Sequence, residues 1–250
     1  MAYETILYRA ENGIGRIIFN RPEAMNAITP TMLKELRTAV LEAGKDNDAK
    51  VIVLTGSGKA FCAGVDLKAL GDRTLTRGKV GDILDIPART LIDTIRSVPK
   101  VVIALVNGFA FTGALEVFLA CDIVIASEEA KMGDTHAKWG LRPTWGMSAR
   151  LPRRVGFLKA KELSFTADAI TGREAERIGL INQAVPAEKL EEALQTMVRK
   201  ITANSPQSVA AYKRLYNDNE NMTLDKSLEL EFGTEFQIDD TLDRLGGFKK

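Results

Sequence analysis

Two glycine-containing segments of the chain could polarise a carbonyl group. They span residues 59–67 and 106–116, and each follows an apolar run typical of a buried strand. Ligands of open α/β sheets bind where strands end, and small residues there let a backbone N–H approach a ligand closely. Two such N–H groups that converge on one point form an oxyanion hole, which stabilises negative charge developing on oxygen. Gly113 also begins a predicted helix, whose N-terminus favours negative charge. Either segment alone is equally typical of an ordinary turn.

One carboxylate and one imidazole could supply acid–base chemistry beside such a hole. Glu116 lies in the apolar stretch 114–119, where a carboxylate is unusual because buried carboxylates are almost always paired. An apolar setting raises a carboxyl pKa toward a value useful for proton transfer. The alternative interpretation is that Glu116 is an exposed residue on an amphipathic helix. His136 is the only histidine, so a Ser–His or Cys–His triad would have to use it.

Alternating strand and helix patterns surround these residues. Strands are predicted over 14–19, 51–55, 101–106 and 122–126, and helices over 32–43, 83–98 and 113–120. Thr29 or Thr31 is the predicted cap of the first helix. This alternation predicts an α/β fold with a mainly parallel sheet. From about residue 148 the pattern becomes helical, and the last fifty residues read as an appendage that packs on this chain or on a partner subunit.

Composition disfavours several other classes of protein. The 250 residues carry a net charge of +1, which gives no general attraction to nucleic acid or to anionic lipid. One His and two Cys cannot build a zinc site from nitrogen and sulfur ligands alone. Residues 56–59 look like a phosphate loop, but Val53 and Ala60 stand where Gly and Ser or Thr are needed. With no long apolar run and no signal or transit pattern, we expect a cytoplasmic protein with no membrane or nucleic-acid partner.

Several stretches together resemble the enoyl-CoA hydratase/isomerase (crotonase) superfamily. The resemblance covers nearly the whole chain, and it is carried by Asn20-Arg21-Pro22, Met25-Asn26-Ala27, Phe61-Cys62-Ala63-Gly64-Val65-Asp66, Asn107-Gly108 through Cys121-Asp122, Ile178-Gly179-Leu180-Ile181 and Arg244-Leu245-Gly246-Gly247-Phe248. It implies a spiral of ββα turns, two roughly perpendicular sheets and a C-terminal helical region that trimerises. We therefore expect a crotonase-like core over residues 1–200 and a helical oligomerisation region over 201–250, in a homotrimer or homohexamer.

The resemblance also implies an acyl-CoA thioester as the substrate, with no separate cofactor. Its carbonyl oxygen would lie between two backbone N–H groups, which match Ala63 and Gly113. The family's hydratases use two glutamates, of which the first matches Glu116 and the second, twenty residues later, is replaced here by His136. We expect His136 to orient water or to move a proton to Cα, or only to line the pocket. Asp134 is an alternative carboxylate if it lies on the same side of an extended segment as His136.

The family pattern places further residues near the coenzyme A part of the substrate. The predicted binding residues are Ala24, Asn26, Ala27, Ala63, Gly64, Asp66, Lys68 and Gly113. The backbone of the first three matches the stretch that receives the adenine end. Asp66 anchors the first loop or lies near coenzyme A. Lys68 approaches the phosphates or pantetheine, or is an ordinary exposed lysine.

The predicted walls of the acyl pocket come from other segments. Trp139, Trp145 and Phe111 shape this pocket or belong to the core, since aromatic side chains here fit either position. Arg73, Arg77 and Lys79 lie in the region that covers the acyl chain in the family, or in a solvated basic loop.

These assignments predict the syn addition of water to a 2-enoyl-CoA, a hydro-lyase reaction. Glu116 would activate the water that attacks Cβ, and Ala63 and Gly113 would hold the thioester enolate. One alternative is an isomerase or a CoA-thioester or C–C bond hydrolase of the same family that uses His136 as its base. Another is a catalytically weak acyl-CoA-binding protein. The balanced charge disfavours an RNA-associated scaffold, because phosphate contacts need a basic surface.

Overall fold

Ten strands form two sheets in the computed structural model, which describes residues 3–68 and 77–247. They are β1 (Ile6–Glu11), β2 (Gly13–Phe19), β3 (Ala49–Gly56), β4 (Ala60–Cys62), β5 (Val102–Val106), β6 (Phe109–Phe111), β7 (Ile123–Ser127), β8 (Lys131–Gly133), β9 (Ile170–Thr171) and β10 (Gln183–Val185). The larger sheet has the order β1-β2-β3-β5-β7-β10, and the smaller has the order β4-β6-β8-β9. In the larger sheet only the β1–β2 pair is antiparallel, which confirms the predicted mainly parallel sheet.

Nine α-helices accompany these sheets within the described ranges. They are α1 (Pro30–Lys45), α2 (Asp82–Ser97), α3 (Gly113–Phe118), α4 (Met147–Thr166), α5 (Gly172–Arg177), α6 (Leu190–Thr202), α7 (Pro206–Asn219), α8 (Leu224–Gly233) and α9 (Thr241–Gly246). A non-helical residue, Gly156 with φ +76°, interrupts α4. None of the helices in the described part of the chain is long and apolar enough to cross a membrane.

Successive ββα turns of the chain build the fold as a spiral. In each turn a strand of the larger sheet is followed by a short strand of the smaller sheet and then by a helix. The three turns are β3-β4-α2, β5-β6-α3 and β7-β8-α4. Because the β4–β6 and β6–β8 pairs are parallel, the segments that follow these three short strands emerge at the same edge of the smaller sheet. This edge carries the predicted chemistry.

Local sequence explains why the first elements form where they do. The Thr29 hydroxyl accepts a hydrogen bond from the Met32 N–H (3.1 Å) and caps α1, as one of the two predicted caps. The predicted apolar face of α1, which includes Leu33 and Leu36, is buried. Strand β5 is buried along its whole length, as its continuous apolar sequence predicts.

The C-terminal helices differ in how they meet the rest of the chain. The buried ammonium of Lys213 in α7 donates to the carbonyls of Ile95 (2.8 Å) and Lys100 (2.9 Å) and pairs with Asp122 (2.7 Å), so α7 packs on this chain. Helices α8 and α9 contain no buried residue. The predicted boundary near residue 200 falls in the last turn of α6, before α7 begins.

Candidate active site

A cavity of about 150 Å³ lies where the segments after β4, β6 and β8 meet. All four residues predicted to be catalytic line it, namely Ala63, Gly113, Glu116 and His136. The remaining lining residues are Val65, Leu67, Val80, Thr112, Thr135, Trp139, Leu141, Arg142, Thr144 and Trp145. The fold therefore brings together two backbone turns and two acid–base side chains that lie up to 73 residues apart in the sequence.

The first turn corrects the predicted oxyanion donor. The Ala63 N–H donates to the Met25 carbonyl (3.0 Å), so it does not point at a substrate in the cavity. Val65 instead forms an isolated parallel bridge with Ile28. The Ile28 N–H donates to the Gly64 carbonyl (2.7 Å), and the Ile28 carbonyl accepts from the Asp66 N–H (2.9 Å). In such a bridge the central residue's own N–H points away from the partner strand. No described residue accepts a hydrogen bond from the Val65 N–H, which leaves it available on the cavity side.

Gly64 sets the directions of the N–H groups on either side of it in the first turn. In a regular strand the N–H groups of residues 63 and 65 point in the same direction. Gly64 has φ +94°, a left-handed conformation that turns the chain between them and separates the two N–H groups. A Cβ atom on Gly64 would lie 2.5 Å from the Thr112 hydroxyl, so this glycine also allows the two turns to touch.

The second turn presents the N-terminus of α3 to the cavity. Thr112 precedes this helix with the unusual angles φ 49° and ψ −109°, and Gly113 is the first helical residue. The Gly113 N–H has no intrahelical acceptor at this position, and no other described residue accepts from it. A Cβ atom on Gly113 would lie 2.6 Å from the Trp145 ring, so only glycine fits here.

Glu116 is almost fully buried, with 2% of its surface exposed, which excludes the alternative of an exposed Glu on an amphipathic helix. Its Oε1 accepts hydrogen bonds from the Trp145 N–H (2.9 Å) and the Met147 N–H (3.0 Å). Its Oε2 lies 3.6 Å from His136 Nε2. Burial raises the pKa of Glu116 to about 7, and this effect outweighs the opposing influence of His136 and of the two N–H donors.

His136 is held from its other ring nitrogen by Asp134. Strand β8 ends at Gly133, so Asp134 and His136 lie in a turn beyond it and strand alternation does not govern their directions. Asp134 Oδ1 lies 2.6 Å from His136 Nδ1, and Asp134 Oδ2 accepts from the Ser164 hydroxyl (2.6 Å). Asp134 is buried and does not line the cavity, so the alternative that it substitutes for the second glutamate is wrong. Neither the Asp134–His136 contact nor the role of Ser164 was predicted from the sequence.

The first-loop residues are tied together by side chains. The Asn26 amide is fully buried and donates to the carbonyls of Ser57 (2.9 Å) and Ala60 (2.8 Å). Arg21 bonds both the Ala27 carbonyl (2.7 Å) and Asp66 Oδ2 (3.0 Å). Asp66 therefore anchors the loop, which is one of the two predicted roles.

Contacts of this region with coenzyme A stay predictions. Asn26 acts on the loop through its side chain, while Ala24 and Ala27 are half-buried beside it. Gly64 lies within the loop itself, and Lys68 is exposed.

Two of the three aromatic residues predicted to shape the acyl pocket line the cavity. Trp139 lines the cavity with much of its ring exposed, and Trp145 lines it from a buried position. Asp85 of α2, which the sequence analysis missed, accepts from the Thr144 hydroxyl (2.7 Å) and the Trp145 indole N–H (2.8 Å). The Phe111 ring stacks on Phe109 and does not line this cavity.

Two of the three basic residues predicted near the acyl chain are described, and neither lines the cavity. Arg77 and Lys79 are exposed and do not line the cavity, which fits the solvated alternative. Arg73 lies outside the described residues, as does Phe248 of the C-terminal motif.

Comparisons with known proteins agree with this architecture. The family model described as enoyl-CoA hydratase/isomerase matches residues 9–248. A short-chain-enoyl-CoA hydratase of Clostridium acetobutylicum is 33% identical over 252 residues, covering 99% of this chain and 95% of the relative. A probable peroxisomal enoyl-CoA hydratase 1 of Arabidopsis thaliana is 34% identical over 89% of this chain and 82% of the relative. The crystal structure of an enoyl-CoA hydratase from Bacillus anthracis superposes with a TM-score of 0.89 at 32% identity, covering 98% of this chain and 96% of that chain. The crotonase-like α/β fold is thus confirmed, and the chain is a hydro-lyase-type enzyme that belongs to the enoyl-CoA hydratase/isomerase family.

Proposed function

We propose that this enzyme hydrates a 2-enoyl-CoA thioester by syn addition of water. The observation that carries the proposal is the 3.6 Å separation of Glu116 Oε2 and His136 Nε2 at one cavity. Two atoms at this separation can both hydrogen-bond to a single water at about 2.8 Å. The hydratase names of the relatives support the same reaction.

The backbone turns would stabilise the charge that develops during this reaction. The thioester oxygen would accept hydrogen bonds from the Val65 and Gly113 N–H groups, which donate to no described residue. Attack at Cβ then moves an electron pair from the C=C bond through Cα onto this oxygen and gives an enolate. Loss of one such donor typically costs about 2.7–4 kcal/mol of transition-state stabilisation.

The two side chains would handle the protons. Glu116, as a carboxylate, takes a proton from the water while the water oxygen bonds to Cβ. When the enolate collapses, Cα takes a proton from His136 Nε2 and the thioester carbonyl re-forms. The scheme needs no metal or organic cofactor, since coenzyme A is part of the substrate.

The assembly and the binding of coenzyme A belong to the same proposal. The backbone near Ala24, Asn26 and Ala27, together with Gly64 and Lys68, would bind the coenzyme A part of the substrate. Residues 1–200 would form the core of each subunit, and residues 201–250 would join the subunits into a homotrimer or homohexamer in the cytoplasm. The largely exposed apolar side chains of Leu224 and Phe232 in α8 support an interface there.

An assay on crotonyl-CoA tests the reaction. The wild type should consume the enoyl absorbance without releasing free coenzyme A. The Glu116→Gln variant should lose turnover by at least about a hundredfold, since acid–base groups contribute 10²–10⁴-fold, while it still binds acyl-CoA. Retained turnover in this variant would contradict the assignment of Glu116 as the base.

One observation favours a second candidate, hydrolysis of the thioester. A carboxylate-oriented imidazole such as Asp134–His136 is also the arrangement that activates water against a carbonyl carbon. The same assay separates the two reactions, because hydrolysis releases a free thiol in proportion to substrate consumed and hydration releases none.

A further inference from the structure

A chain of polar side chains runs from helix α4 to the cavity. The Ser164 hydroxyl donates to Asp134 Oδ2 (2.6 Å), and Asp134 Oδ1 lies 2.6 Å from His136 Nδ1. His136 Nε2 then faces Glu116 Oε2 at 3.6 Å. Asp134, His136 and Glu116 are all buried or nearly so, which keeps bulk water from competing for these contacts.

The chemistry of these groups fixes which His136 nitrogen carries the proton. Burial alone would raise the pKa of Asp134, but hydrogen bonds from His136 and Ser164 outweigh it and lower that pKa. An ionised carboxylate only accepts hydrogen bonds, so the Nδ1 atom beside it must be a donor. The His136 backbone N–H also donates to Asp134 Oδ1 (3.3 Å), which holds the carboxylate and the ring in register.

We infer that Asp134, anchored by Ser164, is a positioning residue that keeps the His136 proton on Nδ1 and reserves Nε2 for proton exchange at the cavity. This inference extends the proposed hydration, and its catalytic part rests on it. A neutral ring held in this way presents a lone pair from Nε2 toward Glu116 and the substrate. When Nε2 gains a proton, the Asp134 carboxylate neutralises the imidazolium without leaving its hydrogen bonds.

The proton balance of a turnover follows from this arrangement. Glu116 ends the reaction protonated and His136 ends it neutral, because one took a proton from water and the other gave one to Cα. Transfer of the proton from Glu116 Oε2 to His136 Nε2 restores both groups without exchange with an outside acid. Among the described residues that line the cavity, the remaining charged group is Arg142. Arg142 makes no hydrogen bond to either oxygen of Glu116 in the described part of the chain.

The single histidine makes the inference directly measurable. In protein labelled with ¹⁵N-histidine, the ring region of a long-range ¹H–¹⁵N spectrum contains signals of His136 alone. We expect the neutral wild-type ring to carry its proton on Nδ1. Asp134→Ala should populate the Nε2–H form and lower kcat at least about tenfold with KM changed less than about threefold. Asp134→Asn keeps an acceptor oxygen, so it should keep the Nδ1–H form and recover part of the rate.

Asp46 offers a matched control. Like Asp134, it accepts from the N–H two residues later (Asp48, 2.9 Å) and from a side-chain donor (Tyr8, 2.8 Å), but it lies away from the cavity. Asp46→Ala should leave the His136 signals and kcat unchanged. A wild-type His136 ring protonated on Nε2 would overturn the inference, and so would an Asp134→Ala variant whose His136 tautomer and kcat equal those of the wild type. If Asp134→Ala does not fold, the wild-type spectrum and Asp134→Asn decide the question. If the wild type fails to hydrate enoyl-CoA yet shows the Nδ1–H ring, the proposed function fails and the positioning role stands.

Discussion

Glu116 should make the enzyme less stable as the pH rises, and Glu116→Gln should remove this effect. Burial raises the pKa of this carboxyl from 4.5 to about 7 in the folded chain, whereas the unfolded chain keeps the ordinary value. Between these two pH values the folded state holds a proton that the unfolded state has lost. The free energy of unfolding therefore falls with rising pH across this window.

The size of the effect follows from the same values. A pKa difference from 4.5 to about 7 corresponds to about 3 kcal/mol at high pH, since each pH unit contributes about 1.4 kcal/mol. Glutamine keeps an oxygen for the Trp145 and Met147 N–H donors but carries no charge. The stability advantage of Glu116→Gln over the wild type should grow by about 2–3 kcal/mol between pH 5 and pH 8.

Urea unfolding followed by tryptophan fluorescence measures this advantage. Both proteins should be compared at one protomer concentration, because any subunit association would otherwise shift the apparent stability. A difference between the two proteins that stays constant within about 0.5 kcal/mol from pH 5 to pH 8 would show that burial does not hold the proton on Glu116.

Three further predictions follow from the site. The kcat/KM for hydration should rise with pH between about 5 and about 7, because Glu116 must lose its proton to act as base; a profile that is flat over this range argues against this role. Gly113→Ala should lower kcat by at least about a hundredfold and the free energy of unfolding by about 1–3 kcal/mol, since its Cβ would lie 2.6 Å from the Trp145 ring. Steady-state kinetics measures the first effect and urea unfolding the second. Asn26→Leu should destabilise the chain by about 1–3 kcal/mol, because the buried Ala60 carbonyl and the part-buried Ser57 carbonyl lose their donor. A urea midpoint equal to that of the wild type would contradict this prediction.

The sequence predicted those elements whose pattern is continuous and apolar. Helix α1 and strands β3 and β5 lie within a few residues of their predicted bounds, because each buries a whole face or both faces. Strand β1 was not predicted, since five of its six residues are at least partly exposed and its sequence does not alternate. The edge position of β1 in the sheet explains this weak pattern.

The site was predictable in its residue types but not in its geometry. Glu116 and His136 were identified from the sequence, whereas the available Val65 N–H was not, because its direction depends on the φ angle of Gly64, which the residue type permits but does not specify. Asp134 was considered only as a strand residue, although an Asp two positions before a His can equally bond its ring in a turn. Ser164 and Asp85 reach the site from other helices, and no local spacing could indicate them.

Trp145 joins three features of the cavity through one residue. Its backbone N–H donates to the Glu116 carboxylate, its ring abuts Gly113, and its indole N–H donates to Asp85. Truncating this side chain would therefore remove both the ring that abuts Gly113 and the hydrogen bond to Asp85, while the backbone N–H would still reach Glu116. Substitutions at Val80 or Leu141 would change the wall of the same cavity without these losses, since both line it and make no hydrogen bond to Glu116 in the described structure.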